Sequence, residues 1–255
     1  MELPPGIDWI TGASSGIGRG LALRLAREGR VVAASARRAG ELAALAAEAS
    51  GLPGRIVPLP LDVTDAAACR AAVERIEREL GPLALVVLNA GSHRPVAAAS
   101  LDPADFRALV ELNVMGTVNA LAAALPPMLA RRRGQVAIVA SLAGYRGLPS
   151  SAAYGLTKAG LINMTEALQP ELRAQGIKLQ LVNPGFVKTP LTDRNRFPMP
   201  FLMPLDQAVA AFRRGLGSAR FEIVFPRRLA WVLGLLRHLP NRVALAATRR
   251  LLPKA

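Results

Sequence analysis

Gly12, Gly16 and Gly18 mark the point where a strand pattern gives way to a helix pattern. Ile7–Thr11 is a short apolar run of the kind that forms a buried strand, and Gly16–Glu28 has helical periodicity. Between them lies Thr11-Gly12-Ala13-Ser14-Ser15-Gly16-Ile17-Gly18. Glycines in such a turn let the backbone approach a pyrophosphate, and the helix N-terminus that follows offers N–H groups with a partial positive charge. A strand before it and a helix after it separate a dinucleotide-binding loop from a chance glycine cluster.

The same alternation continues along the chain. Arg30–Ser35, Arg55–Leu59, Ala84–Leu88, Gln135–Ala140 and Ile177–Val182 read as buried strands, with a seventh at Phe221–Phe225. Helices are expected at Ala39–Ala49, Asp65–Leu80, Pro103–Arg131 and Ser151–Gln175. Thr64-Asp65 and Asp102-Pro103 supply N-terminal caps. Gly29, Gly81, Gly134 and Gly176 each follow a helical run where a left-handed C-cap is expected, and kinks or early ends are expected at Pro126-Pro127 and Pro170. The pattern predicts an α/β fold: one Rossmann-type doubly wound domain over residues 1–226, with a seven-stranded, mostly parallel sheet covered on both faces. Residues 227–255 form a basic helical C-terminal extension, with amphipathic segments 227–239 and 241–252 divided by Pro240.

Charge and cysteine content narrow the function classes. The formal charge is +14, yet nearly all the basic residues are arginines in an alanine-rich chain, which reads as compositional bias. From Arg194 onward there are 12 basic residues against Asp206 and Glu222, whereas residues 1–193 carry 20 basic and 16 acidic. The asymmetry belongs to the C-terminal quarter. The basic tail, 227–252, lacks aromatic interleaving or a recognition motif, so no nucleic-acid partner is expected. The single cysteine, Cys69, forms no intrachain disulfide, and a cytoplasmic location is expected. The N-terminus does not read as a secretory signal, and no uncharged apolar run is expected to approach the ~20 residues that span a bilayer. No metal-ligand spacing exists, and His93, a loop histidine without an acidic or thiol neighbour, reads as solvated.

Four further residues carry chemistry. Tyr154 and Lys158 are spaced to share a helix face, with Ser141 upstream. An ammonium beside a phenol stabilises the phenolate and should lower its pKa. After the second strand no acid lies between Arg30 and Gly40 to meet a ribose 2′-hydroxyl. Arg37 and Arg38 follow instead, and a guanidinium pairs well with a 2′-phosphate, which points to NADP(H).

Taken together, the chain resembles the short-chain dehydrogenase/reductase family. Thr11–Gly18 matches the family's TGxxxGxG loop, Asp62-Val63 the pair at the adenine, and Asn89-Ala90-Gly91 the NAG motif. Asn113, Ser141, Tyr154 and Lys158 match the tetrad in order and spacing. Pro184-Gly185, Val187 and Thr189 match the segment over the nicotinamide. The resemblance covers residues 7–190; the C-terminus departs from many acyl-carrier-protein reductases of the family in lacking a glycine-ending final strand. It implies cofactor contacts at Gly12, Ser14, Ser15, Gly16, Ile17, Gly18, Arg37, Arg38, Asp62, Val63, Asn89, Ala90, Gly91, Tyr154, Lys158, Pro184, Gly185, Val187 and Thr189. It further implies that Tyr154 exchanges a proton with the substrate oxygen, that Ser141 holds that oxygen, that Lys158 binds the nicotinamide ribose, and that Asn113 anchors a water leading to solvent.

The expected activity is oxidoreduction between a carbonyl and an alcohol with NADP(H). A catalytically silent cofactor-binding regulator is the alternative, and an epimerase or dehydratase would need a longer substrate domain. Ser92–Val96, Leu142–Pro149 and Phe186–Met203 should line the substrate pocket, and Phe197, Met199, Phe201, Leu202 and Met203 suggest an apolar, lipid-like substrate. The family implies a homodimer or homotetramer that pairs through the helices at 103–131 and 151–175. Wound as a helix, 227–239 has one face of Leu229, Val232, Leu233, Leu235, Leu236 and Leu239, with Trp231 toward its boundary, and the basic segment runs on through 252. This segment is expected either to lie on an anionic membrane or to pack on the domain or a subunit, with Arg242, Arg249 and Arg250 extending its charge.

Overall fold

The computed structural model describes residues 3–194 and 199–249. Phe197 and Arg250, which enter the sequence expectations above, lie outside the described residues. Seven strands, β1 (Ile7–Thr11), β2 (Val31–Ala36), β3 (Arg55–Pro60), β4 (Leu83–Leu88), β5 (Gly134–Val139), β6 (Ile177–Pro184) and β7 (Glu222–Phe225), form one sheet in the order β3-β2-β1-β4-β5-β6-β7. Every pairing is parallel, so the expected mostly parallel sheet is wholly so.

The strands are covered on both faces, as an all-parallel sheet requires. One face carries α3 (Ala66–Glu79), α5 (Gly116–Ala130) and α6 (Ala152–Ala174), packed on Trp9, Val86, Leu88 and Ile138. The other carries α1 (Gly16–Arg27), α2 (Ala39–Glu48) and α7 (Leu205–Leu216), packed on Ile10, Val32, Leu85 and Val182. Neighbours such as Trp9 and Ile10 therefore point to opposite layers. The sequence reading placed no helix between Pro204 and Phe221. Ala208, Val209, Phe212 and Leu216 have the helical spacing that would have found α7, and all four are buried.

The expected helix at 103–131 divides into α4 (Pro103–Leu109), a π-helical turn over Val110–Met115, and α5. Asp102 and Asp65 cap their helices, accepting the Ala104 and Ala68 N–H groups at 2.8 and 2.9 Å. Neither α5 nor α6 ends at its prolines. Gly134, expected as a C-cap, opens β5 instead, and Arg132 takes the left-handed conformation with φ 48°. Gly29, Gly81 and Gly176 do adopt positive φ. The expectation that no apolar run approaches membrane-spanning length also fails. Pro103–Ala130 passes that test with a mean hydropathy of 1.5, because Leu112–Ala130 contains no charged residue. Part of it serves as cover: Ala120, Leu121, Ala124 and Met128 are buried in the layer that α3 and β4 share.

After β7 come α8 (Arg227–His238) and α9 (Asn241–Arg249). Leu229 and Leu233 of α8 are buried against Leu142, with Tyr145, Leu148 and Phe186 around them.

A buried ion pair ties β1 to the start of β2. The Asp8 carboxylate is fully buried and receives a bidentate hydrogen bond from Arg30, whose guanidinium also donates to the Pro4 carbonyl at 2.8 Å. Burial pushes the Asp8 pKa up to about 6, with Arg30 opposing the rise. A folded-state pKa above the unfolded one means that protonated Asp8 favours the fold, and this contribution fades as pH rises through about 6. Arg30→Met should therefore lower unfolding free energy by about 3–5 kcal/mol at pH 7, where an unpaired buried charge remains. The loss should be smaller at pH 5, where Asp8 is mostly protonated. Equal losses in urea titrations at both pH values would contradict this account.

Candidate active site

The end of β1 meets the end of β4 at the point where the strand order reverses, the usual place for a ligand crevice in such a sheet. Thr11 Oγ1 accepts the N–H groups of Asn89 and Ala90 at 3.0 and 3.1 Å. Asn89 Nδ2 returns two bonds, to the carbonyls of Thr11 and Gly12, at 3.1 and 3.2 Å. Asn89 thus holds the glycine loop rather than reaching outward. Gly12 has φ 68°, and a Cβ there would stand 2.8 Å from Ala90 Cα; one on Gly18 would stand 2.5 Å from Asn89 Nδ2. Both positions are closed to larger residues.

The mouth of α1 suits an anion. Ser15 at its N-cap makes no side-chain cap bond, and no acid lies in the first turn. Arg38 Nη2 donates to Ser14 Oγ at 3.0 Å, which brings a guanidinium to the loop. Arg37 acts elsewhere: together with the Thr64 N–H, the larger influence, it holds the Asp62 carboxyl below its usual range. Val63 is buried against the start of α5, and its carbonyl accepts from Asn119 Nδ2 at 3.1 Å. Asn119 was not read from the sequence, since nothing in its spacing announces it. These features fit a dinucleotide phosphate: open N–H groups, two closely packed glycines and a basic side chain at the loop.

On the other side of the crevice, Ser141 follows β5 and begins a short 3₁₀ turn at Leu142–Gly144. Its Oγ accepts the Ala143 N–H at 3.1 Å, lies 3.3 Å from the Pro184 carbonyl oxygen and hydrogen-bonds the Tyr154 phenol. Tyr154 and Lys158 sit in the first turns of α6. Lys158 Nζ is buried, donates to the Val139 carbonyl at 2.8 Å, and stands 5.7 Å from the Tyr154 ring centroid.

Asn113 lies in the π-helical turn, fully buried. Its amide donates to Ser92 O at 3.0 Å and Thr157 Oγ1 at 3.1 Å and accepts the Ser92 N–H at 2.8 Å. A Cβ on Gly91 would come within 3.1 Å of Asn113 Oδ1 and 3.6 Å of Lys158 Nζ, so Gly91 is the spacer between the two. Thr157, another residue missed in the sequence, links Asn113 to the Tyr154 carbonyl, to which it donates at 2.8 Å.

Two expectations need correction. The phenol of Tyr154 has its pKa raised, not lowered: burial dominates, and the Ser141 hydrogen bond offsets only part of it. Lys158 is itself pushed down to about 8 by burial. His93 is not solvated. It is buried edge-to-face on Tyr154, with ring centroids 4.7 Å apart.

The covering segment runs from β6. Gly185 N–H donates to Phe225 O at 2.7 Å, Val187 is buried and bridges to Met203, and Thr189 reaches back to the loop. A Cβ on Gly16 would lie 3.3 Å from Thr189 Cγ2. Phe201 and Leu202 are exposed, so they do not pack inward as an apolar lining would. Beneath the segment, Glu222 accepts from the Tyr145 hydroxyl and, at 2.6 Å, from Asn183 Nδ2, while Arg237 of α8 lies 5.8 Å from the Tyr145 ring centroid.

The family model described as short chain dehydrogenase matches residues 8–198. The chain belongs to that family. This short-chain dehydrogenase is 43% identical over 242 residues to an uncharacterized oxidoreductase of Myxococcus xanthus, covering 95% of this chain and 96% of that protein. It is 35% identical over 194 residues to a 3-oxoacyl-(acyl-carrier-protein) reductase of Thermotoga maritima, covering 76% and 79% respectively. Among solved structures, it superposes on a short-chain dehydrogenase from Sphingobium yanoikuyae in complex with NADPH with a TM-score of 0.79 at 28% identity, over 96% of this chain and 94% of that one. The family match ends before α7, so α8 and α9 lie beyond it.

Asn89 provides a test of the loop architecture in this dehydrogenase. Asn89→Ala removes both bonds to the loop carbonyls and should cost about 1–3 kcal/mol of stability. Unchanged chemical denaturation would show that the loop is held by Thr11 alone.

Proposed function

We propose that this oxidoreductase is an NADP(H)-dependent carbonyl reductase, acting on the CH–OH group in the reverse direction. The observation that carries the reading is the convergence of Tyr154, Ser141 and Lys158 at the open end of β5, opposite the glycine loop. NADPH, when bound, supplies the hydride.

The chain's own residues do the rest. Ser141 orients the substrate carbonyl and stabilises charge developing on its oxygen. Tyr154 donates the proton to that oxygen. Burial raises its pKa, so the phenol holds its proton until the substrate oxygen takes it. Lys158, fixed to the Val139 carbonyl, supplies the positive charge that steadies the phenolate left behind. Asn113 positions the helix end that carries both, through Thr157. Arg38 at Ser14 is placed to take a 2′-phosphate, and Arg37 borders the adenine side near Asp62.

The substrate is read as apolar because Leu142, Leu148, Phe186, Leu229 and Leu233 cluster beside Ser141. Residues 1–226 form the catalytic domain, with 227–255 as its extension and the cytoplasm as its location. Exposed Leu101, Met115 and Leu156 in the α4–α6 region support pairing of like chains through that face.

Tyr154→Phe should reduce kcat for ketone reduction by about 10²–10⁴-fold, with NADPH affinity, measured by fluorescence titration, nearly unchanged. In the unmodified enzyme, kcat should fall as pH rises through about 8, where Lys158 loses its proton. Turnover near the parent level in Tyr154→Phe would overturn the assignment.

Cofactor choice has a separate test. Arg38→Gln should weaken NADPH binding by about 2–4 kcal/mol and leave NADH binding little changed. A parent enzyme that prefers NADH in steady-state comparison would refute the cofactor reading.

A further inference from the structure

The extension carries apolar side chains on two faces, one turned to the core and one turned to water. Leu229 and Leu233 point inward, and the cation–π contact of Arg237 on Tyr145 fixes the roll of α8. Arg146 donates to Asn241 Oδ1 at 2.6 Å and fixes the start of α9. What turns outward is apolar. Trp231 is 81% exposed and Leu235 65%, with exposed Val232 beside Leu235 on the helix surface; Val243 and Leu245 of α9 are exposed as well. The leucine face read from the sequence is therefore split: Leu229 and Leu233, with Leu236 half-buried against them, serve the core, and Val232 and Leu235 join Trp231 on the outside.

Around this apolar stripe, residues 227–249 hold Arg227, Arg228, Arg237, Arg242 and Arg249 and no acid. All five arginines are exposed. Large apolar side chains held in water mark an interaction surface. A second copy of the chain is a poor occupant, because two-fold pairing through this face would set like charges against each other with no carboxylate from the segment to meet them. An anionic bilayer satisfies both halves of the pattern. The arginines meet lipid phosphates, leucine and valine enter the acyl boundary, and an amphipathic indole suits the headgroup layer.

We propose that α8 and α9 form a rigid docking face for an anionic membrane surface. The inner face of α8 borders the apolar cluster next to Ser141, so docking would set that cluster against the lipid phase. The docking itself does not rest on the carbonyl-reductase reading, and its test reads no turnover.

The full chain is sedimented with vesicles of phosphatidylglycerol and phosphatidylcholine in equal parts, and with phosphatidylcholine alone. Binding to the anionic vesicles at low salt should exceed that to the neutral ones by about tenfold and should weaken in high salt. Trp231 emission should shift to the blue on binding, while buried Trp9 contributes a constant signal. Trp231→Ser with Leu235→Ser, both at exposed positions, should cut binding about tenfold, and Arg228→Gln with Arg242→Gln should lessen the salt dependence without abolishing it. Failure to sediment with anionic vesicles at low salt overturns the proposal, as does undiminished binding by the Trp231/Leu235 variant. A dimer that dissociates in that variant, without vesicle binding, assigns the face to a second copy instead and likewise overturns it.

Discussion

The Thr11 hydroxyl is the smallest piece on which most of the rest depends. β1 and β4 run side by side, and their chains diverge where each leaves the sheet. By accepting the N–H groups of Asn89 and Ala90, Thr11 keeps the two exits together, and Asn89 closes the stitch with its two bonds to the loop carbonyls. The crevice at a reversal of strand order is a general property of these sheets. Its width here is set by side chains: Gly12 and Gly18 allow the loop to press against Asn89, and any Cβ would force the strands' exits apart. The glycines are thus required by protein–protein packing as much as by a ligand.

A second constraint governs the facing wall. Lys158 is a cation taken out of water, and that burial pushes its pKa down. A single carbonyl, that of Val139 at the end of β5, offsets part of it. The π-helical turn at Val110–Met115 has a related function: it brings Asn113 inward at a level where Ser92 and Thr157 can satisfy its amide. Such insertions in helices often accompany functional sites because they re-aim a side chain at the expense of regular hydrogen bonding. Strand ends, one distorted helix and the first turns of α6 therefore converge on one small volume.

Much of this was legible in the sequence, and the parts that were not share a cause. Elements defined by apolar runs or by paired motifs came through: seven strands and, α7 apart, their covering helices, and the strand-to-helix turn at the glycine loop. What stayed hidden depends on which atoms end up close in space. Spacing made Tyr154 and Lys158 neighbours, but only the depth of the site shows that desolvation, not the ammonium, dominates the phenol. Composition made Arg37 and Arg38 equivalent, and only the turn after β2 sends one toward Ser14 and the other toward Asp62. His93 looked solvated because it is a loop histidine without an acidic or thiol neighbour, yet the tertiary fold lays it on Tyr154. α7 was overlooked for the opposite reason, since its helical periodicity was present but sits between irregular and glycine-containing stretches.

The extension joins these themes. Glu222, one of the few acids of the C-terminal quarter, is consumed within the fold, accepting from Tyr145 and Asn183. Tyr145 in turn carries Arg237 on its ring, and Asn183 immediately precedes the Pro184 carbonyl that approaches Ser141. A short path of contacts thus runs from α8 through an aromatic ring and a carboxylate to the backbone beside the candidate proton-transfer site. Arg237 and Glu222 meet the same tyrosine, so the brace engages one arginine of α8 and leaves Arg227, Arg228, Arg242 and Arg249 around the exposed apolar stripe with no carboxylate on the segment itself.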